Sequence, residues 1–509
     1  EATQDTALIL IGDPKQAIYG FRGGDIYTYL SARHATLGRH HTLDTNFRSS
    51  AAAVQAVNHL FLHAEQTHDR GAFRFAEKAS DTEPETAQHN PLPFHQIEAN
   101  GRQESLHLDG KPAKAMVGWL LENTDDESGC LNKQAYLREA ARHCANRIAA
   151  WLNQADQGQA GFVHPAGSPQ AQDTFTPLKA GDIAILVRDR NEAGAIREAL
   201  SERGLASVYL SDRDSVFGSA EARDLLYWLK AMGNPNSVAT LRTALATATL
   251  GLPLAELDRL QRDETAWERV QEQFIGYRQR WQRRGVLPAL RQLMHDYRVP
   301  ARLLGGDQGQ RRLTNLLHLA EWAQQASDTL DGDHALIRLL AEHVQEPGYD
   351  EQILRLESDA DLIQVVTIFK SKGLEYPLVC LPFLCTYNEV TGQRGTPLYH
   401  QADQPVLELA KQKKMAEEGY ALADDERLSE EVRLIYVALT RARHATFVGL
   451  APLKLGNSKT ATLHKSALGY LLAGGEPLPD LASLRTHWQQ LGNVCNAIAL
   501  DASDTTLTP

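Results

Sequence analysis

Twice along this chain short, mainly apolar runs alternate with helix-patterned sequence, and between the two occurrences the pattern is helical alone. The first occurrence is Asp182-Ile183-Ala184-Ile185-Leu186-Val187, a helical stretch over 193–203 and a second run over 206–210. The second has runs at 363–369, 378–384 and 445–450, with a long amphipathic segment before the last. Short apolar runs bounded by breakers fit strands covered on both faces, and strands alternating with helices imply a parallel sheet. From about residue 214 to 351 apolar residues recur at helical spacing, as in Leu313, Leu316, Leu317 and Ala320, and again in Leu336, Leu339 and Leu340. Trp267, Trp281 and Trp322 fall within these helices as packing residues. The fold class that follows is α/β: a parallel sheet interrupted by an all-helical inserted domain. The expected divisions are 1–42, 43–212, 213–352, 353–455 and 456–509. The last is weakly periodic and reads as a C-terminal extension or linker, while 80–112 and 153–181 read as polar surface excursions flanking a helix over 136–152.

A chain of 509 residues is too long for one core, and roughly three domains is the prior. At 43% hydrophobic and 23% charged it falls in the range of ordinary globular proteins. No apolar run approaches the ~20 residues of a membrane span, and no signal peptide opens the chain. The five cysteines are odd in number and form no CxxC pair. That argues for a reducing, cytoplasmic setting and against a disulfide framework, a zinc site or an iron–sulfur cluster. A net charge of −12 disfavours a protein that coats nucleic acid, but allows one that grips a short stretch of one strand. The basic run Arg278, Arg280, Arg283 and Arg284 admits duplex contact, although a solvated helix face is the plainer reading.

Four strings carry the chemistry. The first, Gly12-Asp13-Pro14-Lys15-Gln16-Ala17-Ile18-Tyr19-Gly20-Phe21-Arg22-Gly23, follows an apolar run over 7–11 that reads as a short buried strand. It offers an amide able to reach a phosphate (Gln16), then aromatics beside a basic residue (Tyr19, Phe21, Arg22), as base stacking requires. A strand-to-loop turn with core aromatics has the same pattern. The second is Leu43-Asp44-Thr45-Asn46-Phe47-Arg48-Ser49-Ser50, the third Val366-Thr367-Ile368-Phe369-Lys370-Ser371-Lys372-Gly373-Leu374-Glu375, and the fourth spans Glu430 to Arg443. Phosphoryl transfer needs positive charge against the γ-phosphate. Arg48, at a Ser-rich helix start, and Arg441, at the end of a helix striped by Leu428, Val432, Ile435 and Leu439, are the candidates; a lone Arg is otherwise a surface ion-pair residue. Gly373 permits close backbone approach. Glu375 can accept hydrogen bonds from hydroxyls or stand as a solvated loop carboxylate, and Lys370 and Lys372 can meet phosphates.

In this order the four strings resemble motifs III to VI of UvrD/Rep-type superfamily-one DNA helicases, over residues 12 to 443. The resemblance implies that 1–42 ends a first RecA-like motor lobe, that 43–212 and 353–455 form the second, and that 213–352 is its inserted domain. It implies a catalytic set of Gln16, the γ-phosphate sensor, with Arg48 and Arg441, the γ-phosphate arginines. It implies nucleotide binding by Phe47, Arg48, Gly373, Glu375 and Arg441, with Phe47 on adenine and Glu375 on ribose. It implies DNA contacts by Tyr19, Phe21, Arg22, Lys370 and Lys372. Three positions depart from the family: Phe47 where Tyr is usual, Phe21 where Trp is usual, and Phe369 where His is common. The wording is nearest to the branch found in RecBCD-type helicase–nucleases. That implies ATP-dependent 3′-to-5′ movement on single-stranded and duplex DNA, RecC-like and RecD-like partner subunits, no membrane association, and a role in double-strand-break repair and recombination. ATP and Mg²⁺ are the implied cofactors.

No GxxxxGK[ST] phosphate loop occurs, and no acidic box closes a strand. Gly456-Asn457-Ser458-Lys459-Thr460 places Asn and Ser between Gly and Lys, and Asp424-Asp425-Glu426 reads as a helix start. The metal ligands are therefore expected in first-lobe sequence that this chain lacks. The chain is read as an internal fragment, without nuclease domain, that hydrolyses no ATP alone. Two rivals stay open: an AddA-type or UvrD-type helicase with other partners, and a non-catalytic DNA-binding or scaffolding module.

Overall fold

The computed structural model describes residues 9–20, 23–76, 90–122, 129–165, 175–210, 216–306, 309–345, 362–391, 397–401, 404–409, 413–455, 458 and 460–501. The chain divides into two compact units, 1–210 with 359–509, and 211–358.

The first unit is built on a seven-stranded sheet. Its strands are β1 (Met116–Leu120), β2 (Ile183–Val187), β3 (Ser207–Leu210), β4 (Ile363–Thr367), β5 (Tyr376–Leu381), β6 (Ala442–Leu450) and β7 (Ile498–Asp501). They lie in the order β3-β4-β2-β5-β6-β1-β7, and every pairing is parallel. Val379 pairs with Ala184, and Thr446 with Met116. Every residue of β2 and β5 is buried, as a parallel sheet covered on both faces requires.

Two strands were not legible. β1 contains Gly118, whose absent Cβ would lie 2.7 Å from the Trp488 ring. β7 follows the helices Ala467–Ala473 and Leu481–Val494 and pairs with β1. Residues 467–501 are thus built into the first unit, where the sequence reading has an extension or linker. Buried residues here include Leu471, and Leu484, Trp488 and Leu491 at helical spacing on the helix Leu481–Val494, a periodicity the sequence reading passed over. The excursions are also partly structured. The helix Lys133–Asp156 is longer than read, and Ser105–Leu108, Lys111–Pro112, Gly161–Val163 and Phe175–Pro177 form an antiparallel sheet.

Two local readings are corrected. Residues 9–11 are irregular, and Ile11 is 95% exposed. An apolar run becomes a buried strand only beside a sheet partner, and no described strand flanks this one. Asp424-Asp425-Glu426 lies inside the helix Lys413–Leu439. Its acids serve as ion-pair partners there: Asp424 with Arg427, and Asp425 with Arg70 and Arg74.

The second unit is helical among its described residues, with eight helices from Ala220–Gly233 to Asp333–Gln345. Leu225, Trp228, Leu229, Phe274, Trp281, Leu290, Leu316 and Leu340 form its core. Trp267 and Trp322 pack against that core, and Arg283 and Arg284 are exposed at the end of the helix Glu264–Arg284.

Candidate functional site

The string at 43–50 is shaped by its own side chains. The Asn46 carboxamide accepts from the Arg48 and Ser49 N–H groups (2.8 and 2.9 Å), closing an Asx turn. Ser50 caps the helix Ala51–Thr67, accepting from Ala53 N–H. Ser49 Oγ donates to the Ala442 carbonyl at 3.0 Å, and Ser50 N–H to that of Arg443 at 2.7 Å, so the turn sits on the start of β6. Held this way, the Phe47 ring stands 70% exposed, and Arg48 Nε reaches Glu375 Oε2 at 2.8 Å.

Beside this turn opens a cleft of about 370 Å³ whose walls include Gln16, Phe47, Arg48, Tyr436, Thr440 and Arg441. Arg441 follows the helix Lys413–Leu439, whose Val432, Ile435 and Leu439 are buried as the stripe implied. Its guanidinium is turned inward and only 2% exposed. It donates to the carbonyls of Val437 (2.9 Å), Leu374 (3.1 Å) and Ser371 (3.5 Å), and to Thr440 Oγ1 (3.1 Å). Burial, then the charge of Arg48, pushes its pKa down to about 10, which leaves it protonated at neutral pH.

The third string leaves β4 through one helical turn, Ile368–Ser371, capped by Thr367. Gly373 then adopts a φ of +86°, a conformation that favours glycine, and the chain enters β5 just after Glu375. Glu375 lies amid three guanidinium groups: Arg48, Arg102 at 3.7 Å and Arg443 at 3.8 Å. Arg102 was missed, because it lies in the stretch read as a surface excursion. The signal was Asn100-Gly101-Arg102. A Cβ on Gly101 would meet the Ser49 carbonyl oxygen at 2.3 Å, so only glycine brings this loop onto the turn.

The first string forms a 3₁₀ turn, Pro14–Gln16, capped by Asp13 with Pro at its first position. Gln16 Nε2 donates to Asp13 Oδ2 at 2.9 Å, and Ile18 anchors the loop in the core. Lys372 Nζ donates to the Gln16 carbonyl at 2.9 Å and stands 4.9 Å from the centre of the Tyr19 ring. Tyr19 OH donates to the Phe369 carbonyl at 3.2 Å. The first and third strings are therefore joined. Lys370 is half-buried on the same helical turn. Phe21 and Arg22 lie outside the described residues.

The cleft thus brings together Gln16, Phe47, Arg48 and Arg441, with Glu375 bound to its Arg48 wall. Tyr19 and Lys372 meet beside it. Among the described residues no group of His, Cys, Asp or Glu could hold a metal ion, and no helix is long and apolar enough to cross a membrane. All five cysteines are buried, and none forms a disulfide.

Residues 172–279 and 268–451 match the UvrD-like helicase C-terminal domain, and residues 2–36 match the UvrD/REP helicase N-terminal domain. The chain belongs to the UvrD-like helicase family. Among curated relatives it is similar to the RecBCD enzyme subunit RecB of Escherichia coli (strain K12), with 43% identity over 95% of this chain and 38% of that protein. The subunit of the same name from Haemophilus influenzae is 36% identical over 93% of the chain and 35% of that protein. That from Mycobacterium tuberculosis (strain H37Rv) is 31% identical over 88% and 38%. The chain spans less than two fifths of the length of these relatives. Membership of the UvrD-like family fits the parallel sheet, with the RecA-like character the four strings implied.

Proposed function

We propose that this chain is part of an ATP-dependent 3′-to-5′ DNA helicase and translocase, the RecB-like subunit of a RecBCD-type helicase–nuclease acting in double-strand-break repair and recombination. The observation that carries this reading is the convergence of Gln16, Arg48 and Arg441 with an exposed Phe47 on one cleft, beside the contact of Tyr19 with Lys372. The cleft suits ATP: a flat exposed ring stands among its walls, and two guanidinium groups line it. Bound there, ATP supplies the phosphoryl group whose transfer drives movement. In this reading Phe47 stacks on the base, Glu375 orients the sugar, and Arg48 and Arg441 bring positive charge to the terminal phosphate. Arg441 must then exchange part of its carbonyl coordination for the anion. Such an arginine is worth about 10³–10⁵ in rate. Gln16 senses that phosphate, and Gly373 gives the backbone turn before Glu375. Tyr19, Phe21, Arg22, Lys370 and Lys372 meet single-stranded DNA. Among the described residues no group of His, Cys, Asp or Glu could hold magnesium. RecC-like and RecD-like subunits and a cytoplasmic setting belong to the same proposal, as does the division into the end of one motor lobe, a second lobe and an inserted domain.

The test is ATP hydrolysis stimulated by single-stranded DNA, in the full-length polypeptide containing this chain, with Arg441 and with Arg441→Ala. Strong turnover that collapses in the variant supports the motor. A folded, DNA-binding full-length protein without turnover, assembled with its partner subunits, would overturn the proposal in favour of a scaffold.

A further inference from the structure

The loop after Gln16 is held from a second side. Gly20 N–H donates to Glu430 Oε1 at 3.1 Å, and Arg433 Nε donates to the Ala17 carbonyl at 2.8 Å. Glu430 and Arg433 are three residues apart on the helix Lys413–Leu439, so both point from one face. Both contacts address main-chain atoms. They fix where the loop runs whatever side chains it carries, and Tyr19 lies between the two gripped positions. Arg433 is 5% exposed, and its Nη1 has no hydrogen-bond partner among the described residues. Burying a guanidinium this way costs free energy that its remaining hydrogen bonds and charge partners must offset. Gly20 fits the grip closely, because a Cβ there would meet Glu430 Oε1 at 2.8 Å.

The same helix reaches the cleft. Tyr436 and Leu439 line it, followed by Thr440 and Arg441. From Glu430 to Leu439 is about 14 Å of continuous helix at 1.5 Å per residue, a stiff connection. One rod therefore runs into the cleft arginine, two residues past its last turn, and grips the backbone around Tyr19 further back. The contacts of Lys372 with Gln16 and Tyr19 reach the loop from the opposite string.

We propose that Glu430 and Arg433 are positioning residues that couple the nucleotide cleft to the strand-contacting loop, by tying the backbone of residues 17–20 to the helix that leads to Arg441. Neither side chain is among the walls of the cleft. Resting on the motor reading above, this inference names the mechanical link within it.

The experiment uses the full-length polypeptide with its partner subunits and measures ATP hydrolysed per nucleotide of single-stranded DNA travelled. That ratio is insensitive to the fraction of protein that is active, so simple destabilisation does not move it. Glu430→Ala and Arg433→Ala are expected to raise the ratio several-fold. Glu430→Gln, whose amide oxygen still accepts from Gly20, should stay within about two-fold of the parent. Gly20→Ala changes an exposed residue on a different element and should mimic Glu430→Ala, with the double variant no worse than either single one. A parental ratio in Glu430→Ala, Arg433→Ala and Gly20→Ala would overturn the coupling role while leaving the motor intact. A parent without DNA-stimulated turnover would overturn both.

Discussion

Arg48 Nε and Glu375 Oε2 stand 2.8 Å apart, joining the turn at the head of one helix to the loop that enters β5. Both side chains are about one-third exposed, so the pair contributes only ~0–1 kcal/mol to stability. Arg102 and Arg443 approach the other carboxylate oxygen at 3.7 and 3.8 Å. One acid thus balances three cations, and its work is electrostatic organisation of the cleft wall.

Glu375→Gln should therefore leave the fold nearly as stable while uncovering three guanidinium groups. Inorganic triphosphate should bind as well or better, and ATP should lose the sugar contact. The preference for ATP over triphosphate is expected to fall several-fold, read from the two inhibition constants. An unchanged preference would remove Glu375 from sugar recognition.

Phe47 offers a cleaner separation of fold from binding. Its ring is 70% exposed, so Phe47→Ala forfeits almost no buried area and should leave the melting temperature within a degree or two. Base–aromatic stacking is worth ~1–3 kcal/mol, so ATP affinity should fall roughly 5- to 150-fold. Phe47→Tyr should bind at least as well as the parent. Equal ATP affinity in Phe47→Ala would show that the ring serves something other than the base.

The sheet's centre was legible because β2 and β5 are unbroken apolar runs, which only a doubly covered strand tolerates. The cleft was legible in part. Asn46, Ser49 and Ser50 form a local turn whose chemistry is written in the string itself, and Gln16 and Arg441 stand in strings of their own. Arg102 was not, because its position depends on a glycine packing against a backbone far away in sequence. Nor could the inward turn of Arg441 be read, since carbonyls of another string draw it in. The grip of Glu430 and Arg433 is invisible for the same reason: both address main-chain atoms, which leave no mark in side-chain pattern. β7 was lost because a strand of four residues carries too few periods to register.

Glu192 gives a pH prediction. It is buried, with Oε2 accepting from Arg188 N–H at 2.7 Å and Oε1 from Thr386 Oγ1 at 3.0 Å. Burial, opposed by the nearby Arg188 charge, raises its pKa from 4.5 to about 7. The folded form therefore keeps a proton that the unfolded chain has shed, and this contribution to stability declines as pH rises from 4.5 through 7. The slope is at most about 1.4 kcal/mol per pH unit. Glu192→Gln cannot ionise, and its amide can satisfy both neighbours. Its melting temperature should gain on the parent across pH 5 to 7 and keep a constant lead above that. Parallel melting curves for the two proteins over this range would mean that Glu192 folds ionised.

Trp488 tests whether the C-terminal helices belong to the sheet. Its ring is 1% exposed against Gly118 of β1, and its Nε1 donates to the Ala499 carbonyl at 2.8 Å, tying the helix Leu481–Val494 to β7. Trp488→Ala should cost about 3–5 kcal/mol, because it opens a cavity and frees that carbonyl. Trp488→Phe retains most of the packing and should cost less, with roughly 1 kcal/mol from the lost hydrogen bond. Hydrogen exchange in the full-length protein reads the effect locally. Amides of Ile498–Asp501 should lose protection first, and those of Met116–Leu120 next, because β7 covers the edge of β1. The order should be graded, Ala more than Phe. If Trp488→Ala left protection of Met116–Leu120 untouched, the segment after residue 480 would be an appendage to the sheet and not its last strand.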